Sequence, residues 1–358
     1  MATNGAQDVH AFAFNDALTD PMLASVRWQR TAFHAVGGRR RIAGSAARLL
    51  TARSIALSDL SPDNRTVATA GRSGPIHLWD LETGEERVID ADRQFLTDLA
   101  FSPDGSTLAY TGFTEGGLDG NYIANTRGGI ALLDAETGEP VGQLDNSTRY
   151  FVRMAFSPDG ETLAAYESND ANVQTWNWRE DEDLAQGAPL FDVPEGIEAL
   201  QYTPDGALIA AIGWDHVLRF YDADSGEQRV ELAERFFKPS VAIAFSPDGS
   251  RLAVGEKFTD TISNIVVYDF ETGAEMTRLL YQTSTNVVNG LTFSPDGTLI
   301  AAITDENRLH VWDAATGDLL FDEQESFVPN NRLHVSSDGR MIVTADWGGL
   351  IRVWAIPG

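Results

Sequence analysis

One tetrapeptide returns seven times along this chain of 358 residues, and no other feature limits the possible folds so sharply. It reads SPDN at 61–64, SPDG at 102–105 and 157–160, TPDG at 203–206, SPDG at 246–249 and 294–297, and SSDG at 336–339. Successive starts lie 41, 55, 46, 43, 48 and 42 residues apart, which suits four short strands per unit. Proline presets φ, aspartate bonds the local backbone and glycine tolerates positive φ, so each copy is a hairpin turn. Length alone would suggest two domains, but a repeat architecture escapes that expectation.

The flanks of the turn repeat as well. An alternating apolar segment precedes it, as in Leu99-Ala100-Phe101 and Ile243-Ala244-Phe245, and a second follows, as in Thr107-Leu108-Ala109-Tyr110. A third strand then ends in an aromatic-Asp pair or its remnant: Trp79-Asp80, Leu133-Asp134, Trp176-Asn177, Tyr221-Asp222, Tyr268-Asp269, Trp312-Asp313 and Trp354-Ala355. Tight turns such as ETGE at 82–85 and 136–139, DSGE at 224–227, ETGA at 271–274 and ATGD at 315–318 lead into an outer strand. A lone four-stranded sheet cannot bury both faces. Radial packing of several does so, and ring closure protects the edges.

Seven such units in phase resemble the WD-repeat family over about residues 42–358. The resemblance implies an all-β, seven-bladed β-propeller with four-stranded antiparallel blades. Two family features are thin here. No Gly-His pair precedes a first strand, and an Asp stands six positions before the third-strand aromatic only at Asp170 and Asp215. The polar network that these residues form in the family is therefore expected to be mostly missing, leaving the blades to apolar packing. Such divergence is similar to prokaryotic members, so no eukaryotic partner transfers. The last strand, Leu350–Trp354, is a third strand followed by four residues. In the family the N-terminus supplies the missing outer strand; Ile42–Leu50 is the first candidate and Val26–Val36 the alternative.

Residues 1–41 form an N-terminal arm beyond the propeller's needs. Thr19-Asp20-Pro21 reads as a helix start, predicting a short helix over about 20–30. Between Pro21 and Ser58 stand seven arginines (Arg27, Arg30, Arg39, Arg40, Arg41, Arg48, Arg53) and no acidic residue, in a chain of net charge −27. Three readings are open: an arm folded over the acidic propeller, an arm that binds an acidic partner, and a targeting segment. Arg39-Arg40-Arg41 suits a twin-arginine signal, but Arg48 and Arg53 interrupt the apolar core it would need, so this third reading is disfavoured.

The acidity also bears on partners, because such a surface repels phosphate backbones and disfavours general nucleic-acid binding. Lys238 and Lys257 are the only lysines. That bias fits either a salt-rich cytoplasm or an arginine-favouring genome. With no cysteine, disulfides and thiolate metal sites are excluded, and a cytoplasmic location is expected. No run approaches 18 consecutive apolar residues, so no membrane-spanning helix is expected.

Alternating strands place the SPDG and TGE turns on one face, uniform and short. The second-to-third-strand loops and the blade-to-blade loops share the other face and vary, as functional loops on a rigid scaffold do. The largest is Gly112–Gly129 in blade two. Candidate partner-binding residues on this face are Arg93, Phe95, Tyr122, Arg127, Arg149, Tyr150, Phe151, Trp214, Arg235, Phe236, Phe237, Phe327 and Trp347. Arginine with aromatics is the composition of interface anchors. The competing reading is that aromatics entering a first strand only cap the core.

Neither Asp215-His216 nor Asp305-Glu306 makes a metal site by spacing alone, so no metal and no cofactor are expected. There is no G-x-S-x-G elbow, no H-E-x-x-H and no phosphate loop. His77 and His310 recur two residues before Trp79 and Trp312, which reads as packing. The expected function is a non-enzymatic protein-protein interaction platform, with protein partners of unknown identity. A sensor of small ligands or glycans is the alternative, and a propeller hydrolase or dehydrogenase is less favoured.

Overall fold

The computed structural model describes residues 27–30, 45–50, 55–93, 95–114, 128–145, 149–180, 187–193, 196–229, 240–256, 263–281, 288–304, 306–324 and 330–356. They form antiparallel sheets in which each strand pairs with its sequence neighbour. The first strands are Leu57–Leu60, Phe95–Phe101, Phe151–Phe156, Ile197–Tyr202, Ser240–Phe245, Val288–Phe293 and Asn330–Val335. Each packs against the first strand of the next unit, and Asn330–Val335 packs back on Leu57–Leu60. The ring is therefore closed, and the molecule is a seven-bladed propeller. In blade 4 the described residues give three strands and one bridge, Tyr221 to Gln228, toward a fourth.

Closure uses the N-terminal strand Ser45–Leu50, which lies within the first candidate segment and pairs with Leu350–Ala355. Arg27–Arg30 then adds outside it, giving blade 7 five strands. The helix expected over 20–30 is corrected in its last four residues, because Arg27–Arg30 is strand. An outer edge offers a row of unpaired amides and carbonyls, and that ladder outweighs local helix signals. The rest of the expected helix lies outside the described residues.

One apolar cluster fills each of the seven gaps between blades. Leu78, Leu99, Phe101 and Leu108 lie between blades 1 and 2; Ile55, Val67, Trp79 and Val353 lie between blades 7 and 1. Each fully buried side chain of this size contributes about 1.5–3 kcal/mol. Part of the family's polar network survives: Trp79 Nε1 donates to Thr69 Oγ1 (3.0 Å), and Trp354 Nε1 to Thr344 Oγ1 (3.4 Å). His77 and His310 stack on Trp79 and Trp312, with ring centroids 6.1 and 5.4 Å apart, so their repetition is packing.

Candidate functional site

The two faces differ in kind. On the SPDG face, the Ser or Thr hydroxyl of every copy donates to the turn Asp, as Ser246 Oγ does to Asp248 Oδ1 (2.6 Å). These bonds, with backbone amides, hold the Asp248 carboxyl down at about 2. The motif is spent on its own backbone and offers little that is distinctive to a partner.

The opposite face carries an arc that runs from blade 7 to blade 4. Trp347, 41% exposed in the second-to-third-strand loop of blade 7, lies under the Arg72 guanidinium of blade 1 at 5.8 Å. The Arg72 carbonyl accepts from Leu96 N of blade 2 (3.1 Å). Phe95 stacks on Phe113 (5.0 Å), and Phe113 meets Tyr150 of blade 3 edge-on (4.8 Å). Burial pushes the Tyr150 hydroxyl up, while the positive charges of Arg153 and Arg72 pull the other way. Arg153 Nε then donates to the Glu198 carbonyl of blade 4 (2.9 Å).

Backbone irregularity helps to aim these groups. In six blades the first strand bulges at one place, at Thr97, Val152, Glu198, Val241, Asn289 and Asn331. A bulge leaves one residue unpaired and turns the strand locally. At Thr97 the hydroxyl is turned onto the Phe151 carbonyl (2.7 Å); at Glu198 the carboxylate reaches His216 Nδ1 (3.2 Å).

The residues expected from sequence divide three ways. Trp347, Tyr150 and Phe95 belong to the arc, and Arg149 stands beside it, its guanidinium 3.6 Å from Asp170 and 3.7 Å from Asp145. Trp214 is the most exposed large apolar side chain among the described residues, at 64%, and packs on the backbone of Gly196. Phe151 and Arg93 are instead interior. Phe151 is wholly buried against Trp176, so it caps the core between blades 2 and 3 and presents no surface. Arg93 is 3% exposed, paired with Asp92 and donating to the Gly128 carbonyl (2.9 Å), which fixes one end of the blade-two insertion. Tyr122, Arg127, Arg235, Phe236, Phe237 and Phe327 lie outside the described residues.

Arg72, Phe113 and Arg153 were missed. Arg72 sits in a second-to-third-strand loop, so the rule that selected Trp347 would have found it. Phe113 reads as the end of a second strand and Arg153 as strand interior; only the packing of blade 2 on blade 3 brings Phe113 to Tyr150, and only that of blade 3 on blade 4 brings Arg153 to the Glu198 carbonyl.

The two aspartates at the family's network position do other work. Asp170 pairs with Arg149, and Asp215 with Arg219 (2.6 Å). Among the described residues no three His, Cys, Asp or Glu side chains converge to hold a metal ion. No described helix is long and apolar enough to cross a membrane.

The class defined by this fold is the seven-bladed propeller with a Trp-Asp type third strand. The WD domain, G-beta repeat model matches residues 276–313 and 322–355. The chain is 23% identical over 298 residues to telomerase protein component 1 of Rattus norvegicus, covering 82% of this chain and 10% of the relative. It is 23% identical to a serine-threonine kinase receptor-associated protein of Gallus gallus, covering 72% and 66%. A target of rapamycin complex subunit of Schizosaccharomyces pombe is 26% identical, covering 44% and 48%. The chain thus spans from a tenth to two thirds of these relatives. The seven-bladed fold and these matches at low identity support a likeness to divergent WD-repeat propellers. Propellers of this family serve in general as scaffolds that bind protein partners and are typically non-enzymatic.

Proposed function

We propose that this protein is a non-enzymatic assembly scaffold, working in the cytoplasm, whose partner lies across the arc from Trp347 through Arg72, Phe113 and Tyr150 to Arg153. One observation carries the reading: in a chain of net charge −27, the Arg72 guanidinium over Trp347 and the aromatic series of Phe95, Phe113 and Tyr150 lie on one face across four blades. Aromatic and arginine side chains held by neighbours lose little entropy on binding and supply most interface energy. Two of the relatives are named as a receptor-associated protein and a complex subunit, which accords with an assembly role.

Quantitative affinity capture from the native cells tests this. Arg72→Glu with Trp347→Ala should lose at least tenfold of a specific partner that Arg340→Glu, on the SPDG face, retains. Arg149→Glu at the edge of the arc should weaken the same partner. Equal recovery by all variants would overturn the reading. The arginines of residues 31–44, expected to contact the propeller or an acidic partner, lie outside the described residues.

A further inference from the structure

We propose a second binding site, away from the arc, in the cleft between the outer parts of blades 1 and 2, and that it takes an organic cation carried on an apolar stem. The cleft exists because blade 2 lacks a side chain that the other blades have. Opposite the start of each second strand, the third strand places an aromatic: Trp79, Trp176, Tyr221, Tyr268, Trp312 and Trp354. Blade 2 has Leu133 there, paired with Leu108. Two residues earlier the others have His77, Gln174, Arg219, Val266, His310 and Arg352, where blade 2 has Ala131. Tyr110, opposite Ala131, recovers part of that volume. Leu133 is smaller than the ring it stands in for, and it lines the cleft. A cavity of about 370 Å³ results, the size of a small-ligand pocket.

Its walls select the ligand. Ile89 of blade 1 and Ala131 and Leu133 of blade 2 make an apolar floor, and all three are buried. Asp90, Asp92 and Glu139 line it as exposed carboxylates against two guanidiniums: Arg87, tied to the Ala135 carbonyl (2.8 Å), and Arg93, paired with Asp92, which leaves Asp90 and Glu139 in excess. The Asp92 carboxylate is held in place: Tyr110 Oη donates to Oδ1 (2.9 Å), and buried Arg93 pairs with Oδ2. A fixed carboxylate beside an aromatic ring and an apolar floor attracts a cation whose stem is desolvated with it. Guanidinium or ammonium on a short carbon chain meets both demands.

Isothermal titration with two probes tests the site: agmatine, a guanidinium on a four-carbon stem, and the capped tripeptide Ac-Gly-Arg-Gly-NH2. Binding of at least one with a Kd below about 1 mM is expected. Leu133→Trp, which restores the side chain of other blades, should weaken it at least tenfold while the protein stays folded by circular dichroism. Ala131→His, the residue of blades 1 and 6, is the second filling variant and should act likewise. Asp90→Asn should weaken binding about threefold and reduce its salt dependence. Agmatine binding alone identifies a free small cation; tighter tripeptide binding identifies a basic side chain of a protein segment. Saturation by neither probe at 10-fold that concentration, or unchanged binding in both filled variants, overturns the proposal.

Discussion

Asn64 of blade 1 and Ser337 of blade 7 join their two turns with three hydrogen bonds. Asn64 Nδ2 donates to Ser337 Oγ (2.8 Å), Ser337 N donates to Asn64 Oδ1 (2.6 Å), and Ser337 Oγ donates to the Pro62 carbonyl (2.8 Å). At the other six junctions, the turn glycine of one blade faces the turn proline of the blade before it, as Gly105 faces Pro62 and Gly339 faces Pro295. At the seventh, Asn64 stands in the place of the glycine, at φ 64°, and Ser337 in the place of the proline. The junction between blade 7 and blade 1 is thus the one where the glycine-proline contact is replaced by directional bonds.

Asn64→Gly and Ser337→Pro should each destabilise the protein by about 1–2 kcal/mol, because each removes bonds between these two turns. The double variant installs the glycine-proline contact of the other junctions. It should cost less than the two singles together, by at least about 0.5 kcal/mol in a double-mutant cycle from urea melts. Strict additivity would show that the two residues do not act as a unit.

The division of the expected site residues between surface and core has a direct thermodynamic signature. Trp214→Ala removes an exposed ring and should change stability by less than about 1 kcal/mol. Phe151→Ala empties a wholly buried site and should cost about 3–5 kcal/mol. Denaturant titration of both variants makes the comparison.

His310 carries a pH dependence of known sign. It is 2% exposed, and burial lowers its pKa from 6.5 to about 4 despite the opposing pull of Asp322. Between those values the unfolded chain binds a proton that the folded protein refuses, so stability falls as pH drops from 6.5 toward 4. At about 1.4 kcal/mol per unit, the loss is on the order of 3 kcal/mol. His310→Gln, the residue that blade 3 carries at this place, should flatten stability against pH over that window.

Ser246 predicts a second acid effect, at lower pH. Its hydroxyl accepts from Arg251 N (2.9 Å) and donates to Asp248, whose carboxyl it helps hold at about 2. Ser246→Ala orphans a backbone amide and should cost about 1–3 kcal/mol near neutral pH. A depressed carboxylate stabilises above the unfolded value of 3.8 and ceases to as pH falls through about 2. The gap between wild type and Ser246→Ala should therefore narrow from pH 4 to pH 2 in thermal melts.

The number of blades, the hairpin turns and the use of an N-terminal strand for closure were all legible in the chain. Ser-Pro-Asp-Gly and Thr-Gly act through neighbours two to five residues away, so their chemistry survives in the sequence as a pattern. Phe95 and Phe151 could not be told apart on that basis, since each is an aromatic entering a first strand. Their difference lies in what packs beside them: Phe113 and Tyr150 near one, Trp176 over the other.

Local chemistry was sufficient to specify a seven-bladed ring, because turns and strand alternation are short-range. It could not say that Arg72 meets Trp347, residues 275 positions apart that touch only once the last blade closes on the first. Nor could it say that Leu133, an unremarkable apolar residue in its own strand, opens a cleft. Both follow from register across blades, where the packing of one element is set by side chains far away in sequence.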